Sequence, residues 1–159
     1  MSDISSHKGI SGEYLSKALA PISGVSKLRV ESIMPIGTGQ MAESYRVKFS
    51  QESGEKIESV VVKVPSQNEN SRSASRTTRC YELETSFYSS LRNSLKVDTP
   101  KCFHVWYDAP SDDFVLVLED IKDANQGDQI TGATVEQADA AITQLVNLHA
   151  PMWGSEKLE

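Results

Sequence analysis

The sequence is poor in the residues that staple or metallate small domains. It has two cysteines and three histidines in 159 residues. Cys80 and Cys102 form no CxxC pair, and His7, His104 and His149 have no companion ligands nearby, which excludes a disulfide scaffold and argues against a zinc site. Long apolar runs are also missing, with no stretch approaching the ~20 residues needed to span a bilayer. The start, Met1 to Ile10, lacks the apolar core of a signal peptide. These absences, with reduced thiols, lead us to expect a soluble, cytoplasmic protein with no membrane partner. Positive charge is in deficit too, sixteen Lys and Arg against twenty-two acids, for a net charge of -6. The basic residues form no stripe that could track a phosphate backbone, so nucleic acid is not expected as a partner. Any anionic ligand needs a local site of backbone amides and one or two cations.

What is present is an ordinary globular composition, 38% apolar and 24% charged, enough for a core. Ser11 can cap a lead-in helix with Tyr14, Leu15, Ala18 and Leu19 on one face, and Pro21 with Gly24 should end it. Leu28 to Ile36 reads as a strand, and Ser44 to Phe49 alternates, placing Tyr45, Val47 and Phe49 on one side and Arg46 and Lys48 on the other. Ile57 to Val64 is a third strand whose Val60, Val61 and Val62 suggest burial on both faces. These three strands should form an antiparallel meander. The segment Ser66 to Arg76 has little apolar surface and reads as a mobile loop.

A helix is expected next, with Tyr81, Phe87, Tyr88 and Leu91 on its apolar face. Strands follow at Cys102 to Tyr107 and Phe114 to Leu118, then a linker over Asp120 to Thr131. Thr134 can cap a final helix that Pro151 closes, and Trp106 and Trp153 should fill core or lobe interfaces. The expected fold class is α+β, an antiparallel sheet of about five strands with one packed helix. The expected organisation is a helical lead-in over 1–26, a lobe over 27–120, and a linker with the first helix of an incomplete second lobe over 121–159. That last helix has few elements available to cover its apolar face, so we expect the chain to be truncated.

Chemistry concentrates in three places. Ile36-Gly37-Thr38-Gly39-Gln40 joins two strands, and the missing side chains would let backbone amides approach a phosphate. Two glycines in a hairpin are also ordinary turn residues. Lys63 follows three valines in a strand that belongs in mid-sheet, where its charge needs a partner unless it reaches solvent. Glu84 interrupts an apolar helix face and would point toward the sheet, with Glu82 as a competing partner on another face. Finally Val115 to Leu118 runs into Glu119, Asp120 and Ile121, an apolar strand with a polar exit.

The order of strand, glycine loop, strand, strand with Lys63, helix with Glu84, two strands and linker resembles the amino-terminal lobe of the aminoglycoside phosphotransferase and ecdysteroid-kinase-like families, which share a protein-kinase-like fold. The segment from Leu145 to Trp153, with His149, Ala150 and Trp153, is similar to the Leu-His-Ala-x-x-Trp helix end of such proteins. Ala42 stands where protein kinases have a third glycine, which suits a phosphotransferase loop better. The resemblance implies an ATP-binding portion of a small-molecule kinase. Gly37, Thr38, Gly39 and Gln40 would lie over the phosphates and Lys63 would be paired to Glu84. Glu119, Asp120 and Ile121 would form the adenine-binding hinge. ATP and Mg²⁺ are then the expected cofactors and a small-molecule hydroxyl the acceptor.

Phosphoryl transfer of this type also needs a His-x-Asp-x-x-x-x-Asn loop and a metal-binding Asp. Asp120 to Asn125 matches only the spacing of the second half, with Leu118 where His would stand, so no catalytic residue is assigned and the chain alone is not expected to turn over. His149 reads as a packed or capping residue. Two rival readings share parts of this pattern: a nucleotide-binding module without catalysis, and a plain α+β interaction domain with a solvated Lys63.

Overall fold

The computed structural model describes residues 4–37, 39–124, 127–128 and 130–156. Strands β1 (Arg29–Ile36), β2 (Ala42–Ser50) and β3 (Ser59–Pro65) form the expected meander. Strands β4 (Cys102–Asp108) and β5 (Asp113–Glu119) complete an antiparallel sheet of order β1-β2-β3-β5-β4. β3 therefore lies at the centre, and its Val60, Val62 and Val64 are fully buried. These three alternate onto one face, and Val61 on the other is only partly buried, so the burial on both faces expected of this run is incomplete.

Helix α1 (Gly12–Ser23) covers one face of the sheet. Ser11 Oγ accepts the Tyr14 N–H at 3.1 Å, and Tyr14, Leu15, Ala18 and Leu19 are buried in one cluster with Val47, Phe49, Val60, Val62, Val64, Phe103, Val115 and Val117. The helix does not stop at Pro21. It runs on to Ser23, because a proline in the last turn forfeits only one hydrogen bond, and Gly24 ends it at φ +65°. Ser16 fastens α1 to the start of β1, donating to the Gly12 carbonyl at 2.7 Å and accepting the Leu28 N–H at 2.9 Å.

The segment expected to be a mobile loop is largely helical. Helix α2 (Glu69–Thr78) is capped by Asn68 Oδ1, which accepts from Asn70 N at 2.9 Å and Ser71 N at 3.2 Å. Arg72 donates to the Ser111 carbonyl at 2.9 Å and to Asp113 Oδ1 at 2.8 Å, holding α2 on the β4–β5 turn. Polar anchoring thus replaces the apolar face whose absence argued for a loop. Arg79, at φ +55°, turns the chain into α3 (Cys80–Ser86). α3 is shorter than expected, since Phe87–Leu91 widens into a π-turn.

The chain divides into two compact units, Met1–Ser86 with Pro100–Asp120, and Phe87–Thr99 with Ile121–Glu159. The first contains the whole sheet. In the second, α4 (Val135–His149) begins at a capping box, with Thr134 Oγ1 accepting the Gln137 N–H and Gln137 Oε1 accepting the Thr134 N–H. Gln144 holds Asp98 through two hydrogen bonds of 2.8 Å. Val135, Ile142, Leu145 and Val146 are exposed. Trp153 is exposed as well and fills no core, whereas Trp106 packs against the core as expected. No helix among the described residues is long and apolar enough to cross a membrane.

Candidate functional site

Lys63 sits on β3 between Ser44 of β2 and Leu116 of β5. Strand alternation puts Val62 and Val64 toward α1, so Lys63 emerges on the opposite face. That face is covered by α3, whose Tyr81 ring packs 4.4 Å from Phe114 of β5. Glu84, one helical turn beyond Tyr81, is thereby aimed at the sheet. Its two carboxylate oxygens each lie 2.7 Å from Lys63 Nζ. Glu82, the competing acid, instead pairs with the exposed Arg79 guanidinium, which holds its carboxyl below the usual range.

The Lys63 and Glu84 side chains are 26% and 31% exposed. This intermediate burial matters chemically. A fully buried pair would be closed to a ligand and costly to desolvate, while a fully exposed one would be screened and mobile. Here the carboxylate fixes the ammonium in direction, and solvent access leaves that ammonium open to an incoming anion.

The glycine segment lies beside it. Ile36, the last residue of β1, pairs with Ser44, which is the β2 partner of Lys63. The connection between β1 and β2 therefore turns close to the Lys63 position. Gly37 has φ +72°, which a side chain would strain. A side chain on Gly39 would meet the Ala42 carbonyl at 3.1 Å. Gly37, Gly39 and Gln40 are all exposed, and Thr38 lies outside the described residues.

The polar exit of β5 is built differently from a simple solvated turn. Glu119 donates its N–H to the Lys101 carbonyl at 2.8 Å and accepts the Lys101 N–H on its carboxylate at 3.0 Å. The Asp120 side chain is turned inward and only 3% exposed, accepting from Arg46 Nε at 2.8 Å, from Arg46 Nη2 at 2.9 Å and from Ser59 Oγ at 2.7 Å. This carboxylate holds the Arg46 guanidinium above its ordinary pKa. Asp120 can thus serve a ligand through its backbone, its carboxylate being fully engaged. Ile121, half exposed, begins the second unit, and Asn125 lies outside the described residues.

Two contributors escape a reading of the sequence alone. Arg46 appears there only as the solvent side of an alternating strand, and it is the register of Ser44 with Lys63 that places it on the Lys63 face. Tyr81 appears only as part of an apolar stripe. Its hydroxyl in fact donates to the Met41 carbonyl, just before β2, and accepts the Ser66 N–H at 3.2 Å. On the α1 face, Tyr45 O–H donates to Glu43 at 2.6 Å, and burial together with that carboxylate pushes its pKa up to about 12. Among the described residues no group of three or more His, Cys, Asp or Glu could hold a metal ion.

The first unit thus brings together a cation locked by a helix-borne carboxylate, an adjacent glycine turn, and an ordered strand exit. No curated protein and no solved structure matches the chain. The model of the ecdysteroid kinase-like family matches residues 37–153, which begins at the first glycine of the loop and takes in Lys63, Glu84, the β5 exit and α4. The chain belongs to the ecdysteroid kinase-like family.

Proposed function

We propose that this chain is the ATP-binding portion of a small-molecule phosphotransferase of the aminoglycoside phosphotransferase type, transferring the γ-phosphoryl group of ATP to a hydroxyl. The observation that carries this reading is the Lys63–Glu84 pair at 2.7 Å, on the central strand and in register with the end of the glycine turn. Membership of the ecdysteroid kinase-like family supports it. Lys63 offers a point charge for the α and β phosphates, and Glu84 keeps it from swinging away. The open space around Gly37 lets main-chain N–H groups approach the phosphate oxygens, while a side chain on Gly39 would crowd the Ala42 carbonyl. The backbone of Glu119, Asp120 and Ile121 would receive the adenine edge.

In the reaction, the bond between the γ phosphorus and the β–γ bridging oxygen breaks, ADP departs, and a bond forms to the acceptor oxygen. The acceptor proton passes to a base. The sequence has no His-x-Asp-x-x-x-x-Asn segment to supply that base or the Mg²⁺ ligands, so we assign those roles to a second lobe. The chain by itself binds nucleotide without turnover. The exposed apolar residues of α4 favour a second reading, a module that works by binding another protein.

A nucleotide series separates the two. If Lys63 and the glycine turn hold phosphates, ATP and ADP with Mg²⁺ raise the melting temperature and AMP does so far less. A ligand at a hundred times its Kd stabilises the fold by about 2.7 kcal/mol, which is readily measured. A melting temperature indifferent to all three nucleotides would sink the phosphotransferase reading and favour the interaction module.

A further inference from the structure

We infer that Tyr81 is a positioning residue, one that tethers the glycine turn to the helix carrying Glu84, so that a single rigid element sets both the loop and the lysine. This inference rests on the nucleotide-site reading for its functional meaning, though the tether itself does not. Tyr81 is 1% exposed, and its ring is held against Phe114 at 4.4 Å and 32°. A phenol buried to this extent keeps its hydroxyl only where partners meet it. Both partners here are main-chain groups distant in sequence. The Tyr81 O–H donates to the carbonyl of Met41, the last residue of the glycine turn before β2. Its oxygen accepts the N–H of Ser66, the residue following β3.

The geometry of α3 turns this into a coupling. Tyr81 and Glu84 are three residues apart, so both face the sheet from the same turn. Glu84 grips Lys63 on β3 and Tyr81 grips the end of the glycine turn and the end of β3. Within α3, Thr85 donates its hydroxyl to the Tyr81 carbonyl at 2.7 Å, adding a side-chain link to that turn of helix. A shift of α3 that moves Glu84 therefore pulls on Met41, and an opening of the turn pulls on the helix. The amides offered to phosphate and the charge offered to phosphate are set in register before any ligand arrives, which lowers the ordering cost of binding.

The test is Tyr81→Phe, which keeps the ring and its packing and removes only the hydroxyl. Phe114→Leu is the control, because it loosens the same ring while leaving the hydroxyl in place. Hydrogen exchange is measured on the full chain without ligand, and the Kd for ATP with Mg²⁺ is measured by calorimetry. We expect Tyr81→Phe to speed exchange of amides 39–43 and 66, leave amides 135–149 unchanged, and raise the Kd about tenfold. Phe114→Leu should lower the melting temperature at least as much, yet keep wild-type exchange at 39–43 and a wild-type Kd. Unchanged exchange at 39–43 in Tyr81→Phe, or the same rise in Kd in Phe114→Leu, would overturn the inference. If the wild type takes up no nucleotide, the nucleotide reading fails and the exchange rates alone decide the tether.

Discussion

Replacing Arg46 by leucine probes the most buried carboxylate found in an ion pair among the described residues. The Asp120 carboxylate, 3% exposed, receives the forked guanidinium of Arg46 and a 2.7 Å hydrogen bond from Ser59. Arg46→Leu leaves that carboxylate inside the fold with Ser59 as its remaining partner among these. Stripping one member of a buried pair costs about 3–5 kcal/mol. Arg46 itself is 35% exposed, so water can reach the vacated position and recover part of the loss. About 2–3 kcal/mol should remain. In urea titration at neutral pH this lowers the midpoint by about 1–2 M for an m-value near 1.5 kcal/mol/M. Adding Asp120→Asn removes the stranded charge, and the double variant should regain at least half of the lost stability, a coupling typical of residues in direct contact. A loss below about 1 kcal/mol in Arg46→Leu, or a double variant no more stable than the single, would refute the claim that a desolvated carboxylate organises the end of β5.

Three further outcomes are expected. Gly12→Ala, favourable by about 1 kcal/mol on helix propensity alone, should instead destabilise by at least about 2 kcal/mol, because the new Cβ would stand 1.9 Å from the Leu28 carbonyl oxygen. Urea unfolding decides the sign. Burial pushes the Cys102 thiol up to about 11, well above the ordinary thiol range, so it should react with Ellman's reagent at pH 8 about a hundredfold more slowly than a free thiol, and at the ordinary rate once the chain is unfolded. The sign follows from the thiolate being the nucleophile, so rates should climb with pH beyond 9 in the folded protein. Thr134→Ala removes the acceptor for the Gln137 N–H and should weaken α4 by about 1 kcal/mol, seen as faster amide exchange over its first turn.

The parts of the fold that show in the sequence are those whose stability is local or periodic. β3 is legible because Val60, Val61 and Val62 are β-branched and uninterrupted, and α4 because Thr134 can cap it and Pro151 closes it. Lys63 and Glu84 are legible for the opposite reason, as charges placed within apolar patterns. α2 is not, because Arg72 holds it to Ser111 and Asp113, some forty residues further on, and an apolar count cannot register that bond. The same distance hides the two devices around the site. Tyr81 finds Met41 forty positions back, and Arg46 finds Asp120 seventy-four positions on. Polar partners at such separations follow from the strand order β1-β2-β3-β5-β4, which the sequence pattern does not specify.

Calorimetric titration of ATP with Mg²⁺ into the purified chain, beside Lys63→Ala, tests the central claim most directly, with thermal melts showing that both proteins are folded. Glu84 is 31% exposed, so losing its lysine leaves a carboxylate that water can solvate, and the variant should fold. The account predicts saturable binding by the wild type and an affinity at least about tenfold weaker in the variant, since a hydrogen bond to a charged group contributes about 1.5–3 kcal/mol. A folded wild type that gives neither heat nor thermal shift at millimolar ATP, or a Lys63→Ala variant that binds as tightly as the wild type, would contradict it.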